Sequence, residues 1–378
     1  MILTQCAVCA TDLGLSLGKK CGRCSTRYCG PECQKQHWEG GGHDKLCKKI
    51  KRAGGAEQHY ADTKYSEAVT VAAEACADDT KGQTCFICTQ ALHWKTKEGL
   101  VRGCSCRGTA GFAHVSCLAE QAKILMDEAE ENNLIQKCSE RWHRWHTCSL
   151  CEQDYHGVVR CALGWACWKA YVGRPIDTDR SRGLSLSLLA SGLGGVGRHR
   201  ERLDVLEVQM DLVRRLGASD AMCSEITTNL ANCYAELGRH AEALELRQRV
   251  YDMDVARFDG LTSKDTFISA LNLATSLHFS ERWADAITLL RKTVPEATRV
   301  IGPGSELTIM ICATLAGYLA RVGQLEELEE AVDLLEQTVG TARRALGRDH
   351  PTTRGIQSNL SNAAHTLFVV RKRGDTQW

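Results

Sequence analysis

The sequence has no excess of charge of either sign. Its 47 Lys and Arg face 46 Asp and Glu, a formal net charge of +1, so no global positive field exists to hold nucleic acid or an anionic membrane. It also lacks any run of the roughly 18 apolar residues that a membrane span requires. The start, Met1-Ile2-Leu3-Thr4-Gln5-Cys6, has neither the basic flank nor the long apolar core of a secretory signal. These absences point to a soluble protein of the cytoplasm or nucleus, with no membrane and no nucleic acid among its partners. Catalytic signatures are missing too. There is no Ser-His-Asp or Cys-His nucleophile pattern and no Walker phosphate loop, and the glycine-rich stretch Gly192-Leu193-Gly194-Gly195-Val196-Gly197 follows no strand pattern. No catalytic residue is expected.

What the chain does have is cysteine, 21 in all, with eighteen in residues 1–167 and only Cys223, Cys233 and Cys312 beyond. Intracellular thiols stay reduced, so paired Cys-x-x-Cys spacings there point to metal rather than to disulfides, and zinc is the expected ion.

The first cluster reads Cys6-x2-Cys9, Cys21-x2-Cys24, Cys29-x3-Cys33 and His43-x3-Cys47. Eight ligands make two tetrahedral zinc sites, and a segment this poor in large apolar residues needs the metal in place of a core. The segment, including Tyr28-Cys29-Gly30-Pro31-Glu32-Cys33-Gln34-Lys35-Gln36-His37-Trp38, closely resembles the MYND zinc finger. That resemblance implies one zinc on Cys6, Cys9, Cys29 and Cys33 and another on Cys21, Cys24, His43 and Cys47, with His37 left out. MYND fingers bind proteins, usually short proline-containing peptides, with contacts at positions matching Gln34 and Trp38; the same two residues equally suit packing of the helix onto its zinc knuckle. Residues 1–52 carry ten Lys and Arg against four Asp and Glu, and the run Lys48-Lys49-Ile50-Lys51-Arg52 reads as a solvated helix end.

The second cluster reads Cys85-x2-Cys88, fifteen residues, Cys104-x-Cys106, seven residues, His114-x2-Cys117, thirty residues, and Cys148-x2-Cys151. The order of four Cys, one His and three Cys is shared by RING-CH and PHD fingers. The single residue between Cys104 and Cys106, and the seven before His114, resemble RING-CH. The resemblance implies cross-bracing, with Cys85, Cys88, His114 and Cys117 on one zinc and Cys104, Cys106, Cys148 and Cys151 on the other, four structural ions in the whole chain. It further implies a RING-type ubiquitin ligase, which docks a ubiquitin-conjugating enzyme through residues such as Ile87 and Leu150 and acts by positioning its thioester. The chain departs from that pattern in three ways. Gln121 stands where a tryptophan is usual, Glu152 stands where many active modules carry a cation, and the insert before Cys148 is long. Trp142 or Trp145 supplies the missing aromatic, or simply packs the insert. The rivals to a ligase are a non-enzymatic scaffold and, on weaker spacing, a PHD-like chromatin reader.

From about Gly183 the chain repeats. Asn229-Leu230-Ala231, Asn272-Leu273-Ala274, Thr314-Leu315-Ala316 and Asn359-Leu360-Ser361 align at steps of 43, 42 and 45 residues, which marks stacked helical hairpins. These units resemble kinesin-light-chain-like tetratricopeptide repeats, and that resemblance implies a concave groove for protein or peptide ligands. Asn229, Asn232 and Asn272, in the first helices, have amides suited to a peptide backbone, or are helix-surface residues with no ligand. The expected fold is mainly α: two cross-braced zinc modules followed by an α-helical solenoid. The boundaries expected are a MYND finger at 1–52, a connecting helix at 53–84, a RING-CH-like module with a helical insert at 85–160, a connector at 161–182, the solenoid at 183–370 and a tail at 371–378.

Overall fold

The first 52 residues hold few large apolar side chains and accordingly form little regular structure. In a computed structural model, which describes residues 4–14, 17–175, 180–217 and 219–375, strands β1 (Lys19–Lys20) and β2 (Arg27–Tyr28) pair antiparallel, with Lys19 opposite Tyr28. Helix α1 (Pro31–Glu39) opens on Pro31, whose fixed φ suits a first helical position. Helix α2 (His43–Arg52) follows Gly42 in the left-handed region. The core beneath them contains Leu13, Tyr28, Ile50, Ala56 and the thiols of Cys6, Cys21, Cys24 and Cys47.

Two compact units make up the chain, Met1–Ile226 and Thr227–Trp378. In the first unit, α3 (Ala56–Ala75) and the short α4 (Ala77–Thr80) lead into the second cysteine cluster. Then come α5 (Val115–Glu131), α6 (Ile135–Trp142), a 3-10 turn at His143–Trp145, α7 (Gly157–Tyr171), α8 (Arg180–Gly194) and α9 (His199–Arg215). Helix α7 is the hub, packed against α3, α5 and α8, and its Trp165, Cys167, Trp168 and Tyr171 are all buried.

Residues 161–171, at the start of the expected connector, are thus helical, and Trp165-Ala166-Cys167-Trp168 is a buried stretch of that helix. The hairpin α8–α9 belongs to the first unit rather than to a solenoid beginning at 183, because α8 lies in close contact with α7. A Cβ on Gly192 would sit 2.9 Å from the carbonyl oxygen of Arg160 and from the Cα of Cys161, and one on Gly164 would sit 3.0 Å from the Cα of Leu189. The insert folds back through α5, whose Ala122 packs with Trp145, Ala166, Cys167, Tyr171 and Leu188. Trp145 is 1% exposed and packs the insert; Trp142 is half-buried, with its ring 5.5 Å from that of Tyr171.

The division between units falls inside α10 (Asp220–Glu236). The second unit continues as α11 (His240–Arg257), α12 (Lys264–Phe279), α13 (Trp283–Ile301), α14 (Glu306–Val322), α15 (Leu325–Ala345) and α16 (Pro351–Asp375). Successive helices pack as antiparallel neighbours from α11 to α16, and Gly260, Gly302 and Gly347, between hairpins, all take positive φ. The repeated triplets occupy equivalent places: Leu230, Ala231, Leu273, Ala274, Leu315 and Ala316 are buried. Ser361 in the last copy is exposed. Residues 371–375, expected as tail, continue α16; residues 376–378 and, in the expected connector, 176–179 lie outside the described residues. Among the described residues no helix is long and apolar enough to cross a membrane.

Candidate metal centres

Each of the four Cys-x2-Cys pairs closes the same turn. The N–H of the residue after the second cysteine donates to the carbonyl of the first: Ala10 to Cys6, Ser25 to Cys21, Thr89 to Cys85 and Glu152 to Cys148, at 2.8–3.1 Å. The N–H of the first cysteine donates to a carbonyl five residues on, at Thr11, Thr26, Gln90 and Gln153. The closing residue is left-handed in every case, with φ of 55°, 62°, 62° and 53°, although none is glycine. This turn directs both thiols of a pair to one side. Sequence reading missed the repetition, because the residues that carry it, Ala, Ser, Thr and Glu, share no chemistry.

The sixteen expected ligands fall into four groups: Cys6, Cys9, Cys29 and Cys33; Cys21, Cys24, His43 and Cys47; Cys85, Cys88, His114 and Cys117; Cys104, Cys106, Cys148 and Cys151. Within each group all donor atoms lie within 4.8 Å of one another. A zinc ion with bonds of about 2.3 Å to sulfur requires tetrahedral edges of about 3.8 Å between thiolates, and about 3.6 Å from sulfur to imidazole nitrogen. Sulfur separations are 3.5 Å for Cys9–Cys29 and Cys29–Cys33, 3.7 Å for Cys9–Cys33, and 3.8 Å for Cys21–Cys47 and Cys106–Cys148. His43 presents Nε2 at 3.4 Å from the Cys24 sulfur. His114 presents Nδ1 at 3.3 Å from Cys88 and 3.6 Å from Cys117. The donor sets fit zinc in size and chemistry, and the MYND finger together with these clustered groups points to zinc binding. Among the described residues no other group of three or more such side chains converges this way.

Electrostatics favour a cation here. In the first group the Thr11 hydroxyl and backbone N–H draw the Cys9 thiol down to about 6, while the hydrogen bond with Cys29 pushes Cys33 up to about 12. Burial pushes Cys47 and Cys104 up to about 11. Four thiolates this close cannot all ionise alone, and a divalent ion removes the conflict. Burial also holds His43 and His114 below the ordinary imidazole value, favouring the neutral ring that binds metal. The Ala91 carbonyl, 3.4 Å from His114 Nε2, accepts the second ring proton and leaves Nδ1 to the thiolates. His37 joins no group. Its Nδ1 lies 3.0 Å from the buried Tyr28 hydroxyl, where it packs between α1 and α2.

Of the expected partner contacts, Ile87 is 36% exposed, Leu150 51% and Trp38 42%, and Gln34 is half-buried on α1. In the second unit Asn232 Oδ1 accepts from Arg247 Nη2 at 3.1 Å, while Arg247 Nη1 donates to the Asn272 carbonyl at 3.1 Å and to Ser276 Oγ at 2.8 Å. The Asn232 amide is thus engaged by Arg247; Asn229 is half-buried on α10. Arg247 itself was legible only as an arginine with no acidic residue three or four positions to either side. A groove of about 680 Å³ opens between α12, α14 and α16, lined by His278, Thr314, Tyr318, Arg321 and Asn359 among others.

Residues 6–47 match the MYND finger family model, and residues 308–352 match a tetratricopeptide repeat model. No curated protein matches the chain. Among solved structures, the chain is similar to the nearly identical TPR-like repeats of a kinesin light chain candidate from Podosopora anserina, at 22% identity and a TM-score of 0.45 over 51% of this chain and 90% of that one. It is also similar to BtubC (BKLC) from P. vanneervenii, at 16% identity and a TM-score of 0.43 over 70% of this chain and 85% of that one. The protein accordingly joins a MYND zinc finger to tetratricopeptide repeats, both modules of protein interaction.

Proposed function

We propose that the chain is a zinc-stabilised adaptor that binds protein partners through its MYND finger and its repeats, and that residues 85–160 form a RING-CH-like module docking a ubiquitin-conjugating enzyme. In this reading four zinc ions are structural, held by the sixteen residues grouped above, and the protein is a RING-type ubiquitin ligase whose outer modules recruit the substrate. The observation that carries it is the interleaving of the second cluster. Two matching turns present Ile87 and Leu150, both exposed, and the Leu118–Thr147 insert folds back onto α7. The ligase chemistry asks the protein only for rigid placement of a charged enzyme. Peptide contacts are assigned to Gln34 and Trp38 in the finger, and to Asn229, Asn232 and Asn272 in the repeats.

Three observations favour a second reading, a scaffold without ligase activity: Gln121 in place of tryptophan, Glu152 in place of a cation, and the burial of Trp145. Autoubiquitination with a panel of charged conjugating enzymes decides between them. Chains that form with wild type and vanish in Ile87→Ala, at unchanged zinc content, establish the ligase. Their absence across the panel, with the metal present, leaves the scaffold.

A further inference from the structure

Helix α2 concentrates its cations on one face. Five arginines elsewhere pair with acids three or four positions away along the chain: Arg198 with Glu201, Arg239 with Glu242, Arg249 with Glu245, Arg282 with Asp285, and Arg299 with Glu296. In α2, His43, Cys47 and Ile50 face inward and are buried. Lys45, Lys48, Lys49 and Arg52, at i, i+3, i+4 and i+7, share the opposite face, all exposed. At 3.6 residues per turn they span about 100° of the helix circumference. Among the described residues none of the four pairs with a carboxylate. Like charges at this spacing destabilise a helix. The helix dipole offsets that near Lys49 and Arg52 but not at Lys45, in the first turn. The fold thus bears a basic stripe whose one acidic neighbour on the helix is Asp44, four residues before Lys48.

We infer that the Lys45–Lys48–Lys49–Arg52 stripe docks an acidic polypeptide segment of a partner. This deepens the peptide-binding reading of the MYND finger and rests on it. Trp38, an expected peptide contact on α1, has its ring 5.7 Å from that of His43, the first residue of α2, so the expected contact and the stripe lie on neighbouring helices of one finger. The finger nets +6 while the whole protein nets +1, which concentrates the attraction at this end. A peptide suits the stripe better than nucleic acid, because Trp38 is the one exposed aromatic on α1 and α2 and base stacking needs several.

The test uses the full zinc-loaded chain and fluorescence anisotropy with two labelled probes of equal length, decaglutamate and decathymidylate. The quadruple variant Lys45→Gln, Lys48→Gln, Lys49→Gln, Arg52→Gln should keep its zinc and lose about tenfold or more in decaglutamate affinity, with a shallower dependence on salt. Lys19→Gln with Lys20→Gln, which removes two finger charges elsewhere, should change affinity less than twofold. Wild type should prefer decaglutamate to decathymidylate. Equal decaglutamate affinity in wild type and the quadruple variant overturns the inference, as does tighter binding of the DNA. Trp38→Ala, assayed on proline-containing peptides, tests the underlying reading separately. If those peptides still bind, the MYND groove assignment fails, whatever the stripe does.

Discussion

Ile87 and Leu150 occupy the same position on two zinc turns. Each follows the first cysteine of its pair by two residues, and each donates its backbone N–H to that cysteine's sulfur at 3.4 Å. The turn uses their backbones and leaves their side chains to solvent. Substituting either by alanine should therefore leave the zinc content and the unfolding midpoint almost unchanged, within about 0.5 kcal/mol. A loss of metal in either variant, measured by elemental analysis, would mean that these side chains support the site itself.

The left-handed residue that closes each turn carries a side chain where glycine is cheapest. Thr89, β-branched at φ 62°, bears the largest cost, on the order of 1 kcal/mol. Thr89→Gly should raise resistance to urea by about that amount, less what glycine's extra freedom returns to the unfolded state. The Thr89 hydroxyl donates only to the Cys88 carbonyl next to it. A fall in the urea midpoint would show that this bond outweighs the backbone strain.

Glycines in two helices should respond in opposite directions to alanine. Gly355 in α16 has open space where a Cβ would go, whereas Gly192 in α8 has the backbone of α7 at 2.9 Å. Gly355→Ala should stabilise by about 1 kcal/mol through helix propensity. Gly192→Ala should destabilise by about 1–3 kcal/mol, because backbone cannot move aside as a side-chain tip can. Thermal unfolding of the two variants in parallel checks both signs.

His278 lies stacked on Tyr318 at 4.5 Å and edge-on to Trp283 at 4.1 Å. Burial first, and then the Arg321 charge, holds its imidazole below the ordinary value of 6.5. The unfolded chain thus takes up this proton at higher pH than the folded one. Stability from this group is complete above pH 6.5 and is lost as pH falls from there toward the folded value. Hydrogen exchange of α14 amides, corrected for intrinsic rates, should show protection falling between pH 7 and 5. That slope should be flatter in His278→Gln, and an equal slope in the variant would remove His278 from the account.

The repeat period and the ligand spacings were legible in the sequence because each is a fixed interval between like residues: Asn229 to Asn272, Cys85 to Cys88. The role of α7 was not. Trp165 and Trp168 mark a buried helix, but the partner that buries it depends on Gly164 and Gly192, which read equally well as breakers. Trp145 was ambiguous for a related reason. An aromatic beside a ligand pair packs inward or outward according to how the insert turns, and that turn is set by Ala122 on α5 meeting Ala166 on α7. Arg247 engaging Asn232 needs three helices brought together before it exists at all.

In the proposed reading, sixteen side chains hold four ions in a frame that does not fold without them. Native mass spectrometry of the full chain should find four zinc ions. X-ray absorption should give fourteen sulfur and two nitrogen donors averaged over them, and release should follow protonation of the thiolates and imidazoles as pH falls. Two ions, or a sulfur share well below that ratio, would contradict the grouping.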